Sequence, residues 1–116
     1  MKSKSSQPIN EEDLIELHYK GLTANRDGTI SYNGNRIPFT PQEVDAMRVL
    51  MERPEELRYY DSFTDPLANI FDGRNYDNVQ VTLSKLFYSL RKKLNEATDQ
   101  QAITNSSKRG YTLNLQ

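Results

Sequence analysis

The sequence lacks cysteine and has a single histidine, and these two shortages exclude several kinds of site. Without cysteine, neither disulfides nor metal centres built on thiolates can form among the 116 residues. One histidine, His18, cannot supply a histidine-rich metal cluster, and a histidine-based catalytic triad would have to depend on it alone. Because His18 lies in LIELHYKGL, which is predicted as the first strand, we expect it to have a structural or surface role.

Long apolar runs are also missing. No run approaches the roughly 20 residues needed to span a bilayer, and the N-terminal MKSKSSQPINEED lacks the apolar core of a signal peptide. We therefore expect a cytoplasmic protein with no membrane partner. The sequence shows no paired carboxylates, phosphate-binding glycine loop or nucleophile–base pair, which predicts a protein that is not an enzyme and has no cofactor or bound metal.

Size and composition fit one folded domain. With 35% hydrophobic and 27% charged residues, the chain can bury a single core but is too short for two. Residues 1–12 are polar, with three serines and a proline, and are predicted to form a flexible tail. Residues 13–116 are predicted to form the domain.

The net charge of −1 hides an uneven distribution. Residues 1–78 carry nine Lys or Arg and fourteen Asp or Glu, a net charge of −5, whereas residues 79–116 carry six and two, a net charge of +4. Such a concentration of positive charge is expected where one face meets a polyanion. A solvated basic helix would give the same count, so charge alone leaves both interpretations open.

The N-terminal part predicts strands joined by tight turns. Residues 13–25 are predicted to be mostly strand. The pairs Asp27-Gly28 and Asn33-Gly34 flank the alternating segment TISY, and both pairs tolerate the positive φ that hairpin turns require. The pattern therefore predicts a small antiparallel sheet.

A helix is predicted directly after this sheet. Thr40 and Glu43 form a capping-box pattern, with Pro41 at the first helical position. Pro54 is expected to end the helix. Its apolar face is predicted to comprise Val44, Met47, Val49, Leu50 and Met51.

The next segment, FTDPLANIF, is predicted to contain a short helix. Thr64 or Asp65 would cap it. A loop, DGRNYDN, follows and contains the turn pair Asp72-Gly73, and Asp77-Asn78 would cap the next helix. The apolar side of the short helix would be formed by Leu67, Ile70 and Phe71.

A long amphipathic helix is predicted over about residues 78–95. At 100° per residue, its apolar positions gather on one side and its opposite side has no acidic residue before Glu96. A solvated helix face usually mixes glutamate with lysine, so this face favours anion binding. The predicted buried stripe comprises Val79, Leu83, Leu86, Phe87, Leu90 and Leu94. The opposite face comprises Asn78, Val81, Thr82, Lys85, Tyr88, Ser89 and Lys92.

The chain ends in a predicted hairpin. Strands are expected at 102–105 and 111–115, joined by a polar turn at 106–110. Cations at the tip can contact phosphates or enter a minor groove, and we expect Gly110 to let the backbone approach a duplex.

These segments together resemble the OmpR/PhoB-type winged helix-turn-helix effector domain. LTANRDGTISYNGNRIPFTPQE resembles the N-terminal sheet of that family and its entry into the first helix. LSKLFYSLRKKL resembles the recognition helix, which commonly ends in Leu-Arg-Lys-x-Leu, and AITNSSKRGYTLNL resembles the wing, with its Gly-Tyr-x-Leu. The resemblance covers about residue 20 to the end. It implies an α+β fold with an N-terminal antiparallel sheet, three helices and a C-terminal hairpin wing.

The resemblance also implies a function. A stand-alone transcriptional regulator is expected, since nothing in the sequence resembles a phosphate-receiving domain. It would bind double-stranded DNA with the helix at 78–95 in the major groove and the wing at 106–110 on the backbone or minor groove. Val81 could contact a thymine methyl group or a protein, and Tyr88 could bond a phosphate or cover the core. The expected DNA-binding residues are Asn78, Val81, Thr82, Lys85, Tyr88, Ser89, Lys92, Ser107, Lys108 and Arg109.

A protein-docking module is the alternative. The family usually has Thr-Val-Arg-Gly before the Gly-Tyr step of the wing, and this chain has Asn-Ser-Ser-Lys from residue 105. RNA polymerase or another regulator would then be the partner, and a homodimer on DNA is a further allowed assembly. The docking surface would comprise Glu55, Glu56 and Asp61 near Tyr59 and Tyr60.

Overall fold

Four short strands form an antiparallel meander at the start of the computed structural model, which describes residues 15–64, 67, 76–106 and 109–116. The strands are β1 (Leu17–Tyr19), β2 (Leu22–Ala24), β3 (Ile30–Tyr32) and β4 (Asn35–Ile37), and they lie in that order in the sheet. The predicted antiparallel sheet is confirmed. Residues 13–25 are predicted to be mostly strand, and they contain the strands β1 and β2, separated by a turn that the prediction did not include. The predicted tail, 1–12, lies outside the described residues.

Positive backbone angles explain the turns of this meander. Lys20 (φ 44°) and Gly21 (φ 91°) join β1 to β2, and Asn33 (φ 50°) and Gly34 (φ 86°) join β3 to β4. Two-residue hairpin loops require positive φ at both positions, which Asn-Gly tolerates well. Lys-Gly is a weaker turn signal because lysine rarely adopts positive φ. The sequence pattern therefore missed the first turn.

The first helix, α1 (Pro41–Glu52), begins where its capping box predicts. The Thr40 side chain accepts a hydrogen bond from the Glu43 backbone, and the Glu43 side chain accepts one from the Thr40 backbone. The helix ends just before Arg53. Every residue predicted for its apolar face is buried. Glu43 is buried as well, which the sequence pattern did not predict.

A two-residue strand and one helical turn follow α1. The strand β5 (Arg58–Tyr59) pairs with the C-terminal hairpin, and α2 spans Asp61–Thr64. Thr64, one of the two predicted caps, is the last residue of α2. Leu67 is buried, as its place on the apolar side predicts. The remaining predictions for this segment, at Asp65, Ile70, Phe71 and Asp72-Gly73, lie outside the described residues.

The long helix, α3, spans Tyr76–Thr98 and is longer at both ends than the predicted 78–95. The predicted cap at Asp77-Asn78 is therefore wrong, because both residues lie within the helix. The predicted buried stripe is confirmed for the side chains that the structure describes, and Leu86 packs against the core as a partly buried member. The side chain of Val79 lies outside the described set. The fully buried members of the stripe are Leu83, Phe87, Leu90 and Leu94.

The C-terminal hairpin consists of β6 (Ile103–Ser106) and β7 (Gly110–Leu113), each within one or two residues of its predicted bounds. We call these two strands and the turn between them the wing. With β5 they form a three-stranded sheet in the order β5-β7-β6. Buried side chains from both sheets, α1, α2 and α3 belong to one contiguous hydrophobic cluster. The wing and α3 are therefore anchored in the same core.

Candidate nucleic-acid interface

One line of α3 faces the solvent. We call it the outer ridge, and it consists of Val81, Lys85, Tyr88 and Lys92, spaced four, three and four residues apart as one helix face requires. Val81 is 54% exposed and Tyr88 is 76% exposed. No acidic residue occurs between positions 80 and 95. The ridge itself therefore presents two cations and two apolar groups to the solvent, and the next acidic residue along α3 is the exposed Glu96, four residues after Lys92.

Tyr88 does not cover the core, which removes one of the two roles predicted for it. Thr82 lies half-buried beside the ridge. Asn78 lies in the first turns of α3, and its side chain is outside the described set. Asn78 and Thr82 therefore remain predicted DNA contacts that geometry does not yet support.

The side of α3 that faces α1 carries a buried ion pair. The Glu43 side chain is 2% exposed, and its Oε1 accepts hydrogen bonds from the Lys93 Nζ at 2.7 Å and the Thr40 backbone at 2.8 Å. Burial raises the pKa of the Glu43 carboxyl, but the bonds from Lys93, Thr40 and Ser89 outweigh it and leave the pKa below its ordinary value. This carboxylate is therefore ionised at neutral pH.

This ion pair changes the predicted site. Ser89 was expected on the exposed face, but it is half-buried and its hydroxyl bonds to Glu43. Lys93 contributes to the positive charge of the C-terminal third, yet that charge is neutralised inside the fold. Both residues hold α3 against α1, and of the two adjacent lysines it is Lys92 that faces the solvent.

The tip of the wing is only partly described. Arg109 is exposed, and its backbone accepts a hydrogen bond from Tyr60 at 3.0 Å and donates one to Ser106 at 2.9 Å. Ser107 and Lys108 lie outside the described residues. The backbone of the turn is therefore tied to both β6 and the start of α2, while the Arg109 side chain faces outward.

Gly110 has a different role from the predicted one. A Cβ atom at this position would lie 2.7 Å from the Arg58 carbonyl carbon and 2.8 Å from the Tyr59 Cα, closer than real Cβ atoms approach. The close approach that requires glycine is therefore to β5. We had expected Gly110 to serve an approach to a duplex, and the packing of β5 explains it without one.

Aromatic packing joins the wing to α3. The rings of Phe87 in α3 and Tyr111 in β7 stack at 3.7 Å and 7°, and Phe63 meets both edge-on at 5.4 and 6.2 Å. Burial raises the pKa of the Tyr111 hydroxyl, although a hydrogen bond with Ser84 opposes the shift. These contacts fix the wing relative to the outer ridge, so the two surfaces can act together on one extended ligand.

The alternative docking surface is not assembled as predicted. Tyr60 is 5% exposed and belongs to the core. The Glu55 carboxylate accepts a hydrogen bond from the Tyr19 hydroxyl at 2.8 Å and pairs with Lys20 at 2.9 Å. Of the two tyrosines only Tyr59 is exposed. The expected acidic and aromatic surface is therefore reduced by the fold.

Within the described ranges, no three His, Asp or Glu side chains come together as they would around a metal ion. No helix in the same ranges combines the length and the apolar character needed to cross a bilayer.

Solved structures of regulator domains share this architecture. The C-terminal domain of the nisin resistance regulator NsrR is 24% identical, with a TM-score of 0.67, and the match covers 87% of this chain and 99% of that one. The DNA-binding domain of the response regulator AdeR, solved with an intercistronic region, is 20% identical, with a TM-score of 0.69 and coverage of 84% and 97%. The Klebsiella pneumoniae RstA DNA-binding domain, solved with the RstA box, is 18% identical, with a TM-score of 0.67 and coverage of 85% and 96%.

No protein-family profile and no curated protein matches the chain. Because the identities are below 25%, these structural matches establish the fold alone. The chain has the winged-helix fold of these regulator domains. The predicted α+β class, with an N-terminal antiparallel sheet and a C-terminal wing, is confirmed. The fold expected from the resemblance to OmpR/PhoB-type domains is therefore confirmed.

Proposed function

We propose that this protein is a transcriptional regulator that binds double-stranded DNA with sequence preference and without catalysis. In this proposal α3 enters the major groove, which is wide enough for a helix, and the wing contacts the backbone or the minor groove. The observation that carries the proposal is the outer ridge, because it is exposed, contains no carboxylate of its own, and is held in a fixed position relative to the wing by the Phe87–Tyr111 stack.

The fold neighbours support the same ligand. AdeR and RstA domains of this architecture were solved in complex with DNA segments. A duplex is also the polyanion whose groove dimensions match a helix flanked by a hairpin. The protein-docking alternative loses Tyr60 to the core and Glu55 to an ion pair, so it has less surface to use.

The number of basic side chains available to contact phosphates sets the expected salt dependence of DNA binding. Of the six basic residues in the C-terminal third, Lys93 is paired with Glu43 and Arg91 is half-buried. The four that remain are Lys85, Lys92, Lys108 and Arg109. If about three of them contact phosphates, the logarithm of the binding constant should fall with the logarithm of salt concentration with a slope of about −3 per protomer. A homodimer on paired half-sites would roughly double this slope.

Fluorescence anisotropy with a labelled random-sequence duplex at two salt concentrations tests the proposal. We expect weak binding that weakens steeply with salt, and a shallower slope for the Lys85→Ala, Lys92→Ala double variant. Arg26→Ala is the matched control, because Arg26 is an exposed cation outside α3 and the wing. Selection from a random pool should then recover a preferred sequence. Absence of duplex binding at low salt, or binding that does not respond to salt, would contradict the proposal.

A further inference from the structure

The apolar members of the outer ridge have no structural explanation. Among the described residues, the exposed large hydrophobic side chains are Ile15, Tyr59, Val81 and Tyr88. Two of these four lie on one line of one helix, seven residues apart. Neither packs into the core, and exposing apolar area to water costs free energy. A ligand that covers Val81 and Tyr88 would recover this cost.

Side chains that recognise bases by paired hydrogen bonds are scarce on this ridge. Arg, Lys, Asn and Gln make the paired contacts to guanine and adenine, and of these residue types the ridge contains only lysine, at Lys85 and Lys92. Gln80, Arg91 and Asn95 lie on its flanks and are half-buried. Ser84 is exposed, but its hydroxyl is engaged by Tyr111. The ridge therefore offers apolar contacts and two lysines as its means of contacting a base edge.

We propose that Val81 and Tyr88 recognise the 5-methyl groups of thymines in the major groove. The inference depends on the proposed function and specifies the chemistry that sets its sequence preference. The thymine methyl group is the apolar feature that distinguishes a natural base pair in this groove. Lys85 lies between the two along the helix and would contact a guanine edge or a phosphate.

Helix geometry sets the spacing of the recognised thymines. Seven residues at about 1.5 Å per residue separate Val81 and Tyr88 by roughly 10 Å along α3. Base pairs stack about 3.4 Å apart. With α3 lying along the groove, the two side chains contact bases separated by roughly two to three base-pair steps.

Replacement of thymine by deoxyuridine tests this directly, since it removes the methyl group and leaves every hydrogen bond of the base. The probe is the duplex that the full chain recovers most often from a random pool, with each thymine replaced in turn. We expect two positions, roughly two to three steps apart, at which replacement weakens binding about fourfold, the loss typical of one buried methyl group. Val81→Ala should abolish the effect at one position and Tyr88→Ala at the other.

Tyr88→Phe is the matched control for the ring. It should keep the sensitivity to deoxyuridine, because the ring and not the hydroxyl makes the contact. Loss of affinity for every duplex in Tyr88→Phe would instead indicate a phosphate bond from the hydroxyl and would overturn the role of the ring. Both side chains are exposed, so melting temperatures should stay within about a degree or two of the parent.

The outcomes separate this inference from the proposed function. Salt-dependent duplex binding with no thymine sensitive to replacement would overturn methyl recognition and leave DNA binding intact. Absence of duplex binding would overturn both. If Val81→Ala and Tyr88→Ala leave DNA affinity and sequence preference unchanged, the apolar groups of the ridge do not contact the bases and the inference is wrong.

Discussion

The two sides of α3 contain similar residues with different tasks. Lys92 and Lys93 are adjacent in sequence, yet Lys92 lies on the outer ridge in solvent, whereas Lys93 is 28% exposed and bonded to the buried Glu43. On the side facing α1, Lys93 neutralises the buried carboxylate of Glu43. On the outer ridge, the lysines face the solvent and can contact a ligand. The role of a basic residue on this helix is therefore set by its angle around the axis and by its partner.

The largest effect is expected in the core beneath both sides. Leu90 is fully buried in the stripe of α3, so Leu90→Ala should reduce the free energy of unfolding by about 2–5 kcal/mol. Lys85→Ala, on the outer ridge, should change it by less than about 0.5 kcal/mol. Thermal or urea unfolding measures both. The reverse order would mean that the assigned faces of α3 are wrong.

The adjacent lysines give the next largest contrast. Lys93→Met removes the partner of a buried carboxylate, and loss of such a partner costs about 3–5 kcal/mol in a fully buried pair. Because Lys93 is partly exposed and Thr40 still bonds Glu43, we expect about 2–3 kcal/mol. Lys92→Met should cost less than about 0.5 kcal/mol. Equal losses in urea unfolding would contradict the distinction between the two sides.

The same pair should make stability sensitive to acid. The pKa of Glu43 is lower in the folded protein than its ordinary value, so the unfolded chain takes up a proton more readily. The stabilisation from Glu43 is therefore present above about pH 5 and is lost as the pH falls through the lowered pKa. In the Glu43→Gln variant, the free energy of unfolding should change less with pH between neutral pH and about pH 3 than it does in the parent. A variant with the same acid dependence as the parent would argue against an ionised Glu43 in the fold.

The wing should affect binding more than stability. Replacing both Lys108 and Arg109 by Ala should barely change the melting temperature, because the Arg109 side chain is exposed and its backbone bonds remain. Binding to every duplex should weaken by about 1 kcal/mol per lost contact, and the salt slope should become shallower by about one to two. Anisotropy titrations at several salt concentrations measure both. Unchanged binding at physiological salt would remove the wing from the proposed interface.

Local signals predicted much of the fold. The capping box at Thr40 predicted the start of α1, Asn33-Gly34 predicted the turn between β3 and β4, and the 100° periodicity predicted the buried stripe of α3. Each of these features depends on residues within a few positions of one another. The strand β5 depends instead on Gly110, about fifty positions away, which leaves room for the Arg58 carbonyl. Two residues carry no periodic signal, so β5 was missed.

The part of the candidate site that depends on helical phase was predictable, and the part that depends on contacts between distant residues was not. Helical phase placed Val81, Lys85 and Tyr88 on the solvent side, where the structure has them. It also placed Ser89 there, although Ser89 bonds to Glu43. Glu43 and Lys93 are 50 residues apart in sequence, and no local pattern predicts their pairing. The local signal was an acidic residue, Glu43, just before the apolar face of α1. The capping box with Thr40 already explained that residue, so nothing nearby in the sequence pointed to a second partner.

Lysine acylation, with and without a saturating random-sequence duplex, tests the central claim most directly. Mass spectrometry resolves the modification at each lysine. The account predicts that Lys85 and Lys92 react readily in the free protein and become protected by the duplex, while Lys93 reacts slowly in both states because Glu43 holds it. Full reactivity of Lys85 and Lys92 in the presence of saturating duplex would contradict the proposal that the outer ridge binds DNA.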